Sequence, residues 1–452
     1  MTDLTTGNEA KLLFMFSLPM LLGNVFQQLY NTVDSMIVGR HLGKESLAAV
    51  GASFPIMFLL VALTMGISMG ATILIAQYYG AKDMSRVKKT IDTTFIFLAF
   101  ASLAVTFIGL TLSGRILNFL KVPADVLPQA QTYLNIILLG SIVSFGYNTI
   151  SAILRGLGDS RTPLYFLILA TIVNIALDLL FIIYFNWGVA GAAWATVVAQ
   201  SVSFVTALAY LKSKFDIFRI DIRSMQFDKE VLGLSVRIGL PSGVQQTLVS
   251  IGMLSLQSLV NGFGKDVLAA YTVAGRIDSF ASMPAMNLSA ALSAFTGQNL
   301  GANRPDRVRK GYHAALIMAC AISLLFSITA LIFKQSLIAV FNTDPQVLAI
   351  GGRYLSIVSF FYIPFAAMFV TNGVLRGAGA TTTTMVFTLI SQLIVRVPAA
   401  YVFSKRLMSP DGIWWAMPTG WIVGLALSTC YYLTGKWKEK VVVTHELQIQ
   451  EE

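Results

Sequence analysis

Long apolar runs separated by short polar connections set the pattern of this chain. Twelve runs follow one another, at residues 11–37, 47–78, 90–113, 127–154, 162–185, 189–212, 233–260, 267–298, 311–335, 347–375, 381–404 and 412–435. Each meets or exceeds the roughly 20 residues that a helix needs to cross a bilayer. Barrel strands would alternate over about ten residues instead. The pattern predicts an all-α polytopic membrane protein with 12 transmembrane helices. Several runs are longer than a hydrocarbon core of roughly 30 Å requires, which predicts tilt or protrusion into water.

The longest polar connection, Lys212–Leu232, divides the chain. Residues 1–212 form an expected N-lobe of helices 1–6, and 213–232 a cytoplasmic connecting loop. Residues 233–436 form a C-lobe of helices 7–12, and 437–452 a cytoplasmic tail. The halves repeat each other at a spacing near 221 residues. Gly43-Lys44-Glu45 recurs as Gly264-Lys265-Asp266, Gln77 and Gly80-Ala81 as Gln298 and Gly301-Ala302, and Leu154-Arg155-Gly156 as Leu375-Arg376-Gly377. Leu18-Pro19 recurs as Leu240-Pro241. An even number of helices per half makes this a parallel repeat about an axis along the membrane normal. Such repeats suit a transporter whose two pseudo-symmetric lobes enclose a central cavity.

Composition agrees: 56% of residues are hydrophobic and 12% charged, against about 25% charged in a soluble domain. The net charge of +10 does not point to nucleic acid, because Lys and Arg gather in alternate connections. Lys82, Arg86, Lys88, Lys89, Arg155, Arg161, Arg304, Arg307, Arg309, Lys310 and Arg376 share one side with Lys436, Lys438 and Lys440. This bias places both termini in the cytoplasm of a cell membrane, the prokaryotic plasma or inner membrane. The short polar N-terminal tail and the long run after it do not read as a cleavable signal. Cys320 and Cys430 lie far apart inside apolar runs and read as fillers. His41, His313 and His445 are peripheral. No His-Glu-x-x-His, Gly-x-Ser-x-Gly or phosphate-binding loop occurs, which argues against an intramembrane enzyme and against ATP-driven transport. No cofactor is expected, and the chain reads as a monomer in the bilayer.

Two stretches carry the chemistry. Tyr30 and Asp34 lie four residues apart in the first run, and Asn174 and Asp178 four apart in the fifth. On helices each pair shares a face. A carboxylate within a membrane span is costly and therefore usually functional. Two carboxylates in one poorly solvated pocket repel, and a bound Na⁺ or proton relieves that repulsion. The oxygens of Asn174 and Thr196 are ligands of the kind Na⁺ uses, whereas a proton needs the carboxylates alone; both couplings stay open. The repeat counterparts are Ser255 or Leu256 for Asp34, Val395 for Asn174, Ala399 for Asp178 and Met417 for Thr196, so the fold does not need these polar groups. Pro19 removes a backbone hydrogen bond from the first helix and is a hinge candidate, with a static kink as the alternative.

Other residues read less sharply. Arg276 and Asp278 are close enough in sequence to pair; Arg396 has no evident partner and either snorkels or binds an anion. Phe54, Met57, Met65, Met253, Met283, Met286, Phe360 and Phe361 suit an adaptable apolar cavity, although helix or lipid packing explains any one of them.

Taken in order and at repeat spacing, these features resemble multidrug and toxic compound extrusion (MATE) transporters over essentially the whole chain. The resemblance rests on the Pro19…Gln27…Tyr30…Asp34 pattern, on Leu-Arg-Gly loops in both halves, and on Asn174…Asp178…Gly188-Val189-Ala190-Gly191-Ala192-Ala193-Trp194-Ala195-Thr196. The chain looks like the branch named after the DNA-damage-inducible protein F. The resemblance implies a cation site at Asp34, Asn174, Asp178 and Thr196, and a neighbouring N-lobe substrate cavity at Gln27, Tyr30 and Asn148. Another branch carries a Glu in its seventh helix and an Asp in its tenth. Here the seventh has Gln245 and Gln246, and the tenth has no acid between Tyr354 and Gly373. The implied function is secondary active antiport of H⁺ or Na⁺ against amphipathic, cationic organic compounds by alternating access. The alternative is a flippase for a lipid-linked precursor, disfavoured because Arg396 is the one basic candidate for its cavity. A channel remains a formal third reading.

Overall fold

The computed structural model describes residues 2–214 and 225–443. Much of the expected connecting loop (215–224) and tail (444–452, with His445) therefore lies outside the described residues. Without water in the bilayer core, a backbone must satisfy its own polar groups, and helices do so within one segment. The described residues are accordingly almost all helical. They form α1 Glu9–His41, α2 Gly43–Gly80, α3 Met84–Phe119, α4 Leu127–Leu139, α5 Ser141–Gly156, α6 Arg161–Asp178 and α7 Gly188–Lys214. After the connection come α8 Lys229–Asn261, α9 Lys265–Gly301, α10 Pro305–Ile332, α11 Lys334–Ala339, α12 Pro345–Val358, α13 Tyr362–Gly377, α14 Thr381–Thr388, α15 Val397–Leu407 and α16 Asp411–Leu433. All twelve apolar runs fall on helix. Among the described residues, seven spans are individually long and apolar enough to cross a membrane; α4 and α5, bent by 50° at their junction, make an eighth if counted as one.

Three details depart from the sequence-based reading. First, helices outrun the apolar runs where polar residues cap them. The Asp83 carboxylate accepts the Arg86 N–H at 3.0 Å, so α3 starts six residues before its apolar run. Second, three spans change winding. The fifth ends in a π turn, Leu179–Tyr184; the eleventh contains another, Leu389–Arg396; and the tenth is interrupted by a single tight turn at Ser359–Phe361. Third, Leu154-Arg155-Gly156 and Leu375-Arg376-Gly377 are the last turns of α5 and α13 rather than loops. Their glycines permit close backbone crossings: a Cβ on Gly156 would stand 2.9 Å from the Thr72 carbonyl, and one on Gly377 2.3 Å from that of Ser293.

The described residues divide into two compact units. Pro19–Ile75 and Asp83–Leu240 belong to the first; Asp3–Leu18, Ala76–Lys82 and the chain from Pro241 belong to the second. α1 is unbroken helix through Pro19, and the border between units falls on the bond before that residue. Pro241 marks the matching border in α8.

In the first unit, Ile37 and Val38 of α1 pack with Tyr133 and Ile136 of α4 and with Val189, Ala192 and Ala193 of α7. Small residues on α7 let these helices approach closely, as apolar packing within lipid requires. In the second unit, α9, α12, α13 and α16 enclose an aromatic core in which Tyr354 meets Trp414 edge-on at 4.9 Å and Tyr271 stacks on Trp414 at 5.6 Å.

The second unit also holds the N-terminal segment. Leu4 is fully buried, its N–H donates to Gln298 Oε1 (3.1 Å), and its carbonyl accepts from Asn299 Nδ2 (3.0 Å). Arg307 donates to the Gly7 carbonyl (2.9 Å) and pairs with Glu9 (3.0 Å). The repeat partners Gly80 and Gly301 complete a reciprocal crossing. A Cβ on Gly80 would stand 1.9 Å from the Gln298 carbonyl oxygen, and one on Gly301 1.9 Å from that of Gln77.

Candidate functional site

The i, i+4 spacing on α6 sets Asn174 directly above Asp178, and both side chains are fully buried. With its orientation assigned from hydrogen-bond partners, the Asn174 amide donates to Asp178 Oδ2 at 3.0 Å and accepts the Thr196 N–H at 3.2 Å. One amide thereby ties α6 to α7. The same spacing on α1 aligns Tyr30 with Asp34. The Tyr30 hydroxyl donates to Thr196 Oγ1 at 3.2 Å, and the Asp34 carboxyl lies within hydrogen-bonding reach of Asp178. Five residues from three helices of the first unit thus form one connected set.

Two features make this set suitable for a small cation. Asp34 Oδ1 and Asp178 Oδ1 are both buried with no hydrogen-bond partner. Among the described residues, neither carboxyl enters an ion pair. Unpartnered carboxylate oxygens in a poorly solvated pocket are costly, and a proton or a monovalent cation removes that cost. The two carboxyls and the Tyr30 and Thr196 hydroxyls offer oxygens, the atoms Na⁺ prefers, whereas Asn174 turns its amide nitrogen toward Asp178. Among the described residues, no cluster of three or more His, Cys, Asp or Glu could hold a metal ion.

A sixth residue escaped the sequence reading. Tyr133 of α4 is 4% exposed and is an electrostatic neighbour of Asp34, Tyr30 and Asp178. A tyrosine in an apolar run gives no signal of its own, but Tyr354 stands 221 residues further on, at the repeat spacing. The π turn that begins straight after Asp178 is the second unforeseen feature. Such widened turns often occur at functional sites, and this one forms where α6 leaves the carboxylate.

Two of the three substrate-cavity candidates, Gln27 and Asn148, make no hydrogen bond to this network. Gln27 is exposed on α1, where its amide donates to Asn31 Oδ1 at 3.4 Å. Asn148 of α5 donates to the Ser144 carbonyl at 2.8 Å and is half-buried. Tyr30 is the one member of the three that is hydrogen-bonded to Thr196 and so belongs to the network. Arg276 and Asp278 do not pair: the Arg276 guanidinium lies over the Phe341 ring (5.7 Å), whereas Asp278 accepts from two tyrosine hydroxyls. Residues two apart on one helix do not face each other, so proximity in sequence misled here.

The MatE family model matches residues 19–180 and 241–402, one copy in each half. The probable multidrug resistance protein YpnP of Bacillus subtilis is 33% identical over 445 residues, covering 98% of this chain and 99% of that protein. The FAD transporter of Shewanella oneidensis is 25% identical over 448 residues, covering 96% of each. Among solved structures, a MATE in a bent conformation superposes with a TM-score of 0.91 and one in a straight conformation with 0.89. Both are 26% identical and cover 96–97% of this chain and 98% of theirs.

Proposed function

The chain belongs to the MatE family of multi-pass membrane transporters, and from that premise we propose that it is a cation-coupled antiporter exporting amphipathic, cationic organic compounds. The observation that carries the coupling is the pair of buried, unpartnered carboxylate oxygens on Asp34 and Asp178. Loading a proton or Na⁺ there cancels one of the two negative charges and so relieves the repulsion, and unloading restores it. A site whose energy changes this much between two occupancies can bias a two-state transporter, provided cation and cargo prefer different states or compete for one pocket. Asn174 and Thr196 fix the geometry of Asp178, and Tyr30 links that geometry to α1. The cargo is drawn by the same carboxylates; Gln27, Tyr30 and Asn148 are our candidates for its contacts. Both chain termini are assigned to the cytoplasm from the Lys and Arg bias.

Dye efflux from proteoliposomes tests this reading. With rhodamine 6G inside and a Na⁺ or H⁺ gradient imposed separately, one gradient drives saturable efflux and thereby names the coupling ion. Absence of gradient-driven flux for folded protein would overturn the antiporter and favour the flippase.

We further propose Pro19 as the hinge through which the Asp34 site acts on α1. Pro19 has no N–H to offer the preceding turn, and the unit border in α1 falls on it. Pro19→Ala restores that hydrogen bond and stiffens the helix. The expected outcome is efflux slowed by about tenfold, near 1.4 kcal/mol on the conformational step, with cation affinity unchanged. Wild-type turnover in Pro19→Ala would mark the proline as a static kink.

A further inference from the structure

Tyr133 and its repeat partner Tyr354 are both buried, at 4% and 1% exposure. Beside Tyr133 the first unit gathers two carboxyls. Beside Tyr354 the second unit gathers a carboxyl and a guanidinium. The hydroxyls of Tyr354 and Tyr362 each donate to a different oxygen of Asp278. Asp278, Tyr354 and Tyr271 are in turn the electrostatic neighbours of Arg396.

Arg396 is 5% exposed, so it does not snorkel to a membrane surface. It makes no ion pair with Asp278, whose two oxygens each accept a tyrosine hydroxyl. Its recorded hydrogen bond runs from Nη1 to Gln392 Oε1 at 2.7 Å, one turn back on its own helix, and its Nε is buried with no partner. A guanidinium carries five N–H donors, and leaving a buried charge short of acceptors is costly. The fold does not require that cost, because Ile175 occupies the Arg396 position in the other half and Met57 that of Asp278. The backbone that presents Gln392 and Arg396 is the π turn Leu389–Arg396, a winding that proteins often keep for function.

We propose that Arg396, aided by Gln392, binds an anionic group of an amphipathic molecule, a carboxylate, sulfonate or phosphate, with Asp278 as the nearby counter-charge that limits how tightly it is held. The planar guanidinium matches such groups in a way that an ammonium does not. Asp278 takes its hydrogen bonds from Tyr354 and Tyr362 rather than from Arg396, whose Nε keeps a donor for a ligand. The site is opposite in sign to the Asp34–Asp178 pair and independent of it.

The test uses full-length protein in neutral-lipid nanodiscs and two xanthene dyes of similar shape, anionic fluorescein and cationic rhodamine 6G, read by fluorescence anisotropy. Arg396→Gln is expected to weaken fluorescein by about tenfold or more while changing rhodamine 6G by less than about twofold. Arg396→Lys should recover part of the loss. Asp278→Asn, which removes the counter-charge, should tighten fluorescein several-fold. Wild-type fluorescein affinity in Arg396→Gln, or equal loss of both dyes, would overturn the site. If Arg396→Gln does not fold, Asp278→Asn decides alone: tightening supports the proposal, and weakening or no change refutes it. Adding phosphatidylglycerol to the nanodiscs identifies the source. Displacement of fluorescein names a lipid headgroup; its absence names a free organic anion. Asp34→Asn should retain fluorescein binding, which separates this site from the coupling reading.

Discussion

Asp34→Asn is expected to abolish gradient-driven dye efflux, a loss of at least about 100-fold, or roughly 3 kcal/mol of coupling. The substitution keeps size and puts an amide beside Asp178, as Asn174 already does from one turn away. It removes the charge, however, and with it the repulsion that cation loading relieves. Asp178 is left with the Asn174 amide as donor and no facing carboxyl, so occupancy no longer alternates between a costly and a relaxed state. Protein amount and melting temperature should stay near wild type, because the two carboxylates repel and removing one of them relieves that repulsion. The check is efflux from proteoliposomes under whichever gradient drives the wild type, alongside thermal unfolding. Unimpaired efflux in this variant would move the coupling site elsewhere.

The second large effect is structural. Gly301→Val should prevent folding of the second unit, with a cost at or above the roughly 3 kcal/mol upper end for overpacking. A first carbon on Gly301 already falls 1.9 Å from the Gln77 carbonyl oxygen, and that oxygen belongs to backbone rather than to a side chain that can turn away. Gly275→Val, where a Cβ would meet nothing within 4 Å, is the matched control. Fluorescence-detected size-exclusion chromatography should show loss of the monodisperse peak for the first variant alone. A normal peak for Gly301→Val would mean that the two backbones separate readily.

Much of this was legible in the sequence because lipid makes polarity conspicuous. The apolar runs announced the helices, and Asp34, Asn174 and Asp178 stood out against them at helical spacing. Tyr133 did not, since an aromatic hydroxyl in an apolar run looks like packing until its twin Tyr354 is placed beside it. The π turns at Leu179–Tyr184 and Leu389–Arg396 have no residue signature, because they depend on how neighbouring helices press on the backbone rather than on local preference. The close crossings at Gly156 and Gly377 were misread as loops for the opposite reason. Glycine near a basic residue looks like a turn, and its use as a contact surface between helices appears only in three dimensions.

The anchoring of the N-terminal segment bears on how the chain is made. Leu4 and its hydrogen-bond partner Gln298 are separated by 294 positions. At about 5–20 residues per second, a ribosome needs on the order of 15–60 s to make the chain between this segment and its partners. Throughout that interval Leu4, Gly7 and Glu9 have nothing to bind, and the start of the first span must wait while the remainder of that helix can already join its neighbours. The contacts of Leu4, Gly7 and Glu9 are therefore among the late ones to form.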